Sequence, residues 1–195
     1  MATYQILFEK SGNLSVADDV SPWYICSAPY GLKLLGVDLA VKTPPQNASI
    51  MIDIEWSSDG ITWASIFGVP FLYGIHDGTD NNSTLRDLTA NFTTDLVGLI
   101  IDNVSDGSTG IIQTVFPPSY IYAPLLGGDE NDWDNGDGYT IAVAGGIRPG
   151  EHIGVGGIPS VTELAYGGLL RLDIEQCGVS PNRGADLTVS LRVRQ

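Results

Sequence analysis

The sequence is short of cysteine, histidine and positive charge, and each shortage excludes a class of protein. Only two cysteines, Cys26 and Cys177, occur among 195 residues, which is too few for a disulfide framework, and neither has a cysteine or histidine at metal-binding spacing. The two histidines, His76 and His152, belong to neither an H-E-x-x-H nor a G-x-S-x-G motif. We therefore expect a protein that is not an enzyme, with two buried thiols or, alternatively, a Cys26–Cys177 bridge.

Positive charge is scarce, because nine Lys and Arg oppose 23 Asp and Glu, for a net charge of −14. Such a surface repels nucleic acid and anionic membranes unless a local basic patch intervenes. The arginines near the C-terminus are interspersed with polar and apolar residues and form no patch. No apolar run approaches the roughly 18 residues of a membrane span, and the N-terminal residues lack the apolar core of a signal peptide. We therefore expect neither nucleic acid nor a membrane among the partners.

What the sequence does contain is apolar/polar alternation near its two ends, in residues 31–67 and 168–195. A period of two is typical of half-buried β-strands. The predicted fold class is therefore all-β, an antiparallel β-sandwich formed by these two segments. The alternating runs are Leu32–Val41, Ser49–Trp56, Leu170–Glu175 and Leu187–Arg194.

Turn-forming residues indicate how these strands connect. Ser57–Gly60 predicts a hairpin turn that returns the chain into a strand at Ile61–Phe67. The two C-terminal runs, joined by a loop at residues 178–184, are predicted to form an antiparallel hairpin. Helical periodicity is weak throughout, and the best helix candidate is the short segment Asn81–Asp87.

The remaining residues complete the predicted organisation. Residues 1–30 form an N-terminal segment with short strands, and residues 31–195 form the sandwich. Within the sandwich, residues 68–167 are interpreted as a long, loop-rich β insertion, because short strand-like runs alternate there with glycine, proline and acidic residues. A second small β-domain inserted into the first is the alternative.

The strongest candidate for a metal site is the acidic run DENDWDNGDG at residues 129–138. Oxygen-rich loops with glycine suit Ca²⁺, which takes six to eight oxygen ligands, and Asp132, Asp134 and Asp137 imitate part of a calcium loop. The distant bidentate glutamate of an EF-hand is missing. We therefore predict no cofactor, with Ca²⁺ at these three aspartates as the alternative to a solvated loop.

Three tryptophans are candidates for an interface or for stacking on a glycan. Trp56 and Trp63 flank the predicted hairpin turn, where they could pack in the core or in an interface. Trp133 lies among acids and glycines, and we expect it to be exposed.

Two motifs in the alternating segments are similar to those of a known module. The first, V-x-T-x-P-x-x-A-x-x-x-I-D-I, runs from Val41 to Ile54, and the second, D-I-x-Q-x-G followed by G-A-D-L-T-V-x-L, runs from Asp173 to Leu191. With these motifs the chain resembles a jelly-roll-like β-sandwich module of tailed-bacteriophage virion proteins. The resemblance covers the two flanks, about a third of the chain.

That resemblance implies a structural role. Proteins with this module occur as capsid decoration or cement proteins and as head, neck or tail-fibre parts, commonly as homotrimers. The resemblance thus implies a non-enzymatic decoration protein, located in the virion after assembly in the host cytoplasm. It would bind the major capsid protein or another virion protein as a trimer and stabilise the head. The alternatives are a receptor- or glycan-binding head, neck or tail-fibre protein, and a glycan-active enzyme with two close carboxylates.

Overall fold

Strands make up about half of the computed structural model, and turns and irregular connections make up nearly all of the rest. The structure describes residues 3–16, 20–178 and 182–195, with the backbone alone at residues 20–23. One turn of 3-10 helix, Thr94–Leu96, is the only helical element in this part of the chain. The all-β, antiparallel fold class predicted from alternation is confirmed. None of the described residues belongs to a helix with the length and apolar character needed to cross a membrane.

The strands form three sheets. The large sheet consists of β1 (Thr3–Asn13), β2 (Val20–Ile25), β3 (Leu32–Thr43), β4 (Ile50–Ser57), β5 (Ala64–Ser65), β14 (Gly145–Ile147), β15 (Ile153–Gly156), β16 (Glu163–Leu164), β17 (Leu169–Gln176) and β18 (Ala185–Arg194). A five-stranded sheet consists of β6 (Phe71–Ile75), β8 (Ile100–Asn103), β9 (Thr109–Ile111), β12 (Leu125–Leu126) and β13 (Gly138–Ala142), and a three-stranded sheet of β7 (Thr84–Arg86), β10 (Thr114–Phe116) and β11 (Tyr120–Tyr122).

The two alternating flanks of the sequence pair directly with each other in the large sheet. β3 lies antiparallel to β18, with Leu39 opposite Val189, and β4 lies antiparallel to β17, with Ile54 opposite Leu172. Because side chains alternate along a strand, one face of all four strands is aliphatic, and these faces enclose the main core. Each fully buried aliphatic side chain stabilises the fold by about 1.5–3 kcal/mol relative to exposure.

The predicted hairpin between the two C-terminal runs is wrong. β17 pairs with β4 and β2, whereas β18 pairs with β1 and β3. Both edges of each strand are therefore occupied, and the connection between them crosses from one half of the sheet to the other. Alternation shows which face of a strand is buried but does not specify the neighbouring strand. Part of the loop predicted at residues 178–184, residues 179–181, lies outside the described residues.

The large sheet turns back on itself through β14 and β15. β15 pairs with β3, β14 pairs with β4, and Gly145 lies opposite Gly156 where the two strands meet. A side chain at Gly156 would collide with the backbone carbonyl of Val37, so this close approach requires glycine. The end strands β1 and β2 also contact each other. The sheet therefore forms two facing halves around one core, which is a sandwich-like arrangement.

The two smaller sheets lie within residues 71–142, inside the predicted insertion 68–167, while β14, β15 and β16 of the same segment join the large sheet. They enclose a second core with several aromatic side chains, including Phe92, Trp133 and Tyr139. The helix predicted at Asn81–Asp87 is wrong, because this segment contains β7, which pairs with β11. The strand predicted at Ile61–Phe67 is reduced to the two residues of β5.

A buried polar network joins the two cores. The Asp102 carboxylate of β8 accepts hydrogen bonds from Ser49 Oγ at 2.9 Å and from Gln176 Nε2 at 3.1 Å. Ser49 precedes β4 and Gln176 ends β17, so both donors belong to the sandwich. Burial raises the pKa of Asp102, although hydrogen bonds from Thr109, Ser49 and Gln176 oppose this effect. The network therefore fixes the inserted sheets against the sandwich.

Candidate functional site

The acidic run at residues 129–138 forms an ordered corner rather than an open loop tip. Asn81 N donates to Asp134 Oδ1 at 2.7 Å, and Asn135 N donates to Asp80 Oδ1 at 3.0 Å. Asp137 Oδ2 accepts from Asp134 N at 2.9 Å and from Asn103 Nδ2 at 2.8 Å. Asp137 is therefore engaged in holding the loop.

The carboxylates that come together at this corner are those of Glu130, Asp132 and Asp134, with candidate ligand oxygens within 4.8 Å of one another. The charges of Asp134 and Asp132 raise the pKa of Glu130, and desolvation followed by the charge of Asp134 raises the pKa of Asp132. A cation would relieve this repulsion, but Ca²⁺ takes six to eight oxygens. Of the predicted calcium ligands, Asp132 and Asp134 thus lie together, Asp137 is hydrogen-bonded elsewhere, and Glu130 joins the group.

Trp133 is fully buried, so its predicted exposure is wrong. Its backbone pairs with Asn82 in an isolated bridge, and its ring stacks on His76 with centroids 6.2 Å apart. The imidazole Nδ1 of His76 accepts the backbone N–H of Arg86 at 2.9 Å. The acids and glycines around Trp133 in the sequence suggested an exposed side chain, but the neighbouring loop 76–83 covers the ring. Trp133 therefore anchors the acidic corner to this loop.

The other two tryptophan candidates lie on opposite sides of the sheet, one facing the core and the other facing outward. Trp56 is half-buried against the main core. Trp63 is half-buried on the outer face, where the guanidinium of Arg171 lies 4.5 Å from its ring centroid. Together with the burial of Trp133, this arrangement means that the three tryptophans do not form a shared platform for stacking on a sugar.

A second group of carboxylates lies on the outer face of β4 and β17. Asp53 is opposite Asp173 in the strand register, and Glu55 is opposite Arg171, with which it forms an ion pair at 2.6 Å. Asp53 is buried and accepts a hydrogen bond from Ser65 Oγ at 2.8 Å. Burial raises the pKa of Asp53 to about 7, with the Ser65 bond opposing the effect and the charge of Glu55 adding to it. A shifted carboxyl can mark an active site, but this one is covered by β5.

A groove of about 740 Å³ lies at the start of β3. Residues 29–31 and 164–166 line it, and they belong to two loops, residues 26–31 and 164–168, that are hydrogen-bonded to each other. Cys26 N donates to Gly168 O at 2.8 Å, and Gly167 N donates to Cys26 O at 2.8 Å. Gly31 lies so close to β16 that an added Cβ would be 2.6 Å from Leu164 O. The groove is therefore built on tightly connected backbone.

The side chains at this groove combine aromatic and charged groups. Tyr30 is 95% exposed and Tyr166 is 69% exposed. Lys33, Arg194 and Glu163 also line the groove, and Lys33 lies opposite both Arg194 and Glu163 in the strand register. Sequence reasoning missed this site. The sequence has three Tyr-Gly steps, and those at Tyr30-Gly31 and Tyr166-Gly167 place a tyrosine at a glycine turn, whereas Tyr73-Gly74 lies in β6.

The two cysteines are part of the buried interior. Cys26 and Cys177 are both buried and do not form a disulfide. Cys26 Sγ lies 3.7 Å from Leu164 O, next to the groove. The bridge considered from the sequence is therefore not formed.

Comparison with known proteins adds no assignment, because the chain matches no protein family, no curated protein and no solved structure.

Proposed function

We propose that the chain is a non-enzymatic virion protein of a tailed bacteriophage that binds the assembled head as a homotrimer and stabilises it. The observation that carries this proposal is the direct pairing of the two segments that resemble the virion module. β3 pairs with β18 and β4 pairs with β17. The resembling residues therefore belong to one continuous part of the fold, as a module requires.

The placement of the buried carboxyls supports a scaffold rather than an enzyme. Asp53, Asp87 and Asp102 each accept hydrogen bonds that connect neighbouring strands or loops. None of the three lines the groove or the two next hollows, of about 360 and 200 Å³. A catalytic site needs convergent ionisable groups that a substrate can reach.

The outer face of β1, β18 and β3 is the surface that we assign to head binding. Two ion pairs lie on this face, with Arg192 3.0 Å from Asp38 and Lys42 3.6 Å from Asp186. The exposed Leu7 lies opposite the small Ser190. Charged groups on a contact surface steer the encounter with a partner and fix its register.

The stabilising mechanism is mass action. A protein that binds only the assembled lattice stabilises that lattice by its difference in affinity for the two states. Three copies joined in a trimer add avidity where capsid subunits meet. The net charge of −14 limits aggregation of the trimers in solution.

The test uses phage heads made without this protein. Heads lacking it should release DNA at a lower temperature than complete heads, and adding the purified chain should restore the higher temperature. Equal release temperatures with and without the protein would refute the cement role. Native mass spectrometry of the purified chain tests the trimer, and a monomer at micromolar concentration would refute that part of the proposal.

Matched variants test the assigned surface. Leu7→Arg on the outer face should abolish the rescue of heads, because it places a charge in the contact. Leu88→Arg is the control, since Leu88 is exposed to nearly the same extent as Leu7, 58% against 57%. Leu88 lies in the inserted unit, by which we mean residues 71–142 with the two smaller sheets. Equal rescue by both variants would show that this face is not the contact.

A further inference from the structure

We propose that the groove between Tyr30 and Tyr166 binds an acidic oligosaccharide, a chain of sugars that carry carboxylate groups. The groove has a volume of about 740 Å³, which is within the usual range for a ligand site. This inference does not rest on the proposed role in the virion, because it concerns binding by the isolated chain.

The two tyrosines supply the surface for sugar rings. Tyr30 and Tyr166 are 95% and 69% exposed, although neither is needed to cover the main core. An aromatic ring presents an apolar face with a polar hydroxyl at its edge, a combination suited to the mixed surface of a sugar. Both tyrosines belong to the two loops that are hydrogen-bonded to each other, so their backbone positions are fixed before a ligand arrives.

The cations of the groove supply the preference for negative charge. Ion pairs within the described part of the chain include those of Lys42, Arg86, Arg148, Arg171 and Arg192. Among the described residues, Lys33 and Arg194 form no ion pair within 4.0 Å, although Glu163 lies opposite Lys33. The groove thus holds two adjacent cations in a protein whose net charge is −14. They fit a carboxylate ligand.

The strand edges at the groove argue against a peptide ligand. An extended peptide binds most readily by adding to an open sheet edge. Here β3 is bordered on one side by β18 and on the other by β16, with Leu34 N donating to Thr162 O at 2.9 Å. The backbone of β3 is therefore already paired, and the side chains of the groove remain as the recognition elements.

The experiment is a glycan array carrying carboxylated, sulfated and neutral oligosaccharides, probed with the full chain and followed by calorimetry on each hit. We expect carboxylated oligosaccharides to bind and neutral analogues of the same sugars to bind at least roughly tenfold more weakly. Affinity should fall as salt is raised, because the cations are exposed to solvent. Hexaglutamate, titrated in parallel, tests the peptide class.

Matched variants identify the site. Tyr30→Ala and Tyr166→Ala should each weaken binding about tenfold, whereas Tyr73→Ala, with the same 69% exposure as Tyr166, should not change it. Lys33→Gln should weaken binding and reduce its salt dependence. Arg183→Gln is the control for charge, because Arg183 is exposed and precedes β18 at the opposite end from Arg194.

Three outcomes would overturn the proposal. The first is no binding by any carboxylated oligosaccharide at millimolar concentration. The second is binding that survives Tyr30→Ala and Tyr166→Ala with unchanged affinity. The third is binding of hexaglutamate or sulfated sugars at least as tight as that of carboxylated ones. Unchanged melting temperatures of the variants would show that a loss of binding is not a loss of folding.

Discussion

The sandwich and the inserted sheets solve the problem of a stable core in different ways. The sandwich has strands of up to 12 residues, and its core is almost entirely aliphatic. The inserted unit has strands of two to five residues, and its core contains Phe92, Trp133 and Tyr139. It also contains buried polar residues such as His76, which accepts a backbone hydrogen bond from β7, and Asn103, which donates to the carbonyl of Asp132 in the acidic run.

The comparison shows that regular backbone pairing and individual side-chain contacts can replace each other as sources of stability. Long strands satisfy their backbone groups in ladders, so the side chains need only be apolar on one face. Short strands leave many backbone groups in loops, and each buried one needs an individual partner. The inserted unit therefore depends on single residues more than the sandwich does.

The largest expected change in stability comes from replacing one residue of the inserted unit, Trp133. Trp133→Ala should lower the free energy of unfolding by about 3–5 kcal/mol, because it removes a fully buried indole and its stack on His76. Urea denaturation measures the loss. Trp63→Ala is the control, since Trp63 is half-buried on the surface, and it should cost less than half as much. Equal costs would contradict the dependence of the inserted unit on Trp133.

The second effect concerns pH and the sandwich. Because the folded pKa of Asp53 is raised to about 7 from 3.8, the folded state holds a proton that the unfolded state releases. Its contribution to stability is fully present below about pH 4 and is lost as the pH rises through about 7. Asp53→Asn should remove this dependence and stabilise the protein at pH 8 by roughly 2–4 kcal/mol.

Thermal unfolding between pH 4 and pH 8 tests the Asp53 prediction. Asp38→Asn is the control, because Asp38 is exposed and ion-paired with Arg192 on the opposite half of the sheet. A wild-type and an Asp53→Asn protein with the same pH profile would contradict the prediction.

A smaller effect tests how strongly the two units are coupled. Gln176→Ala should cost about 1–3 kcal/mol, because it leaves a buried oxygen of Asp102 without its 3.1 Å donor. Hydrogen exchange should become faster in β8 as well as in β17. Gln113→Ala at an exposed position should have an effect within about 0.5 kcal/mol. Faster exchange confined to β17 would show that the units are not coupled through this network.

The smallest effect concerns the acidic corner. Calcium at roughly 5 mM should raise the melting temperature by less than about 2 °C, because three carboxylates fall short of the usual six to eight oxygens. Differential scanning calorimetry measures the shift. A rise above about 5 °C that disappears in Asp134→Asn would show that the corner is a real calcium site.

The strands of the sandwich could be predicted from the sequence, whereas the inserted unit and the groove could not. The alternation in β3, β4, β17 and β18 predicted strands close to their observed bounds, because a one-sided core imposes that period. Trp133 could not be placed, since its burial depends on loop 76–83, which is remote in sequence from it. The groove was missed because Tyr30 and Tyr166 come together only through the contact of two distant turns.

Three properties can be read from the amino-acid sequence alone: the protein is all-β, its two flanks present an aliphatic face, and it carries a large excess of acidic residues. These properties follow from local period and composition, which each residue carries with it. The identity of the neighbouring strands, the buried carboxyls and the tyrosines that share a groove could be known only from the folded structure. Those properties depend on backbone pairing between residues far apart in the chain, and pairing is set by the free energy of the whole fold rather than by any local pattern.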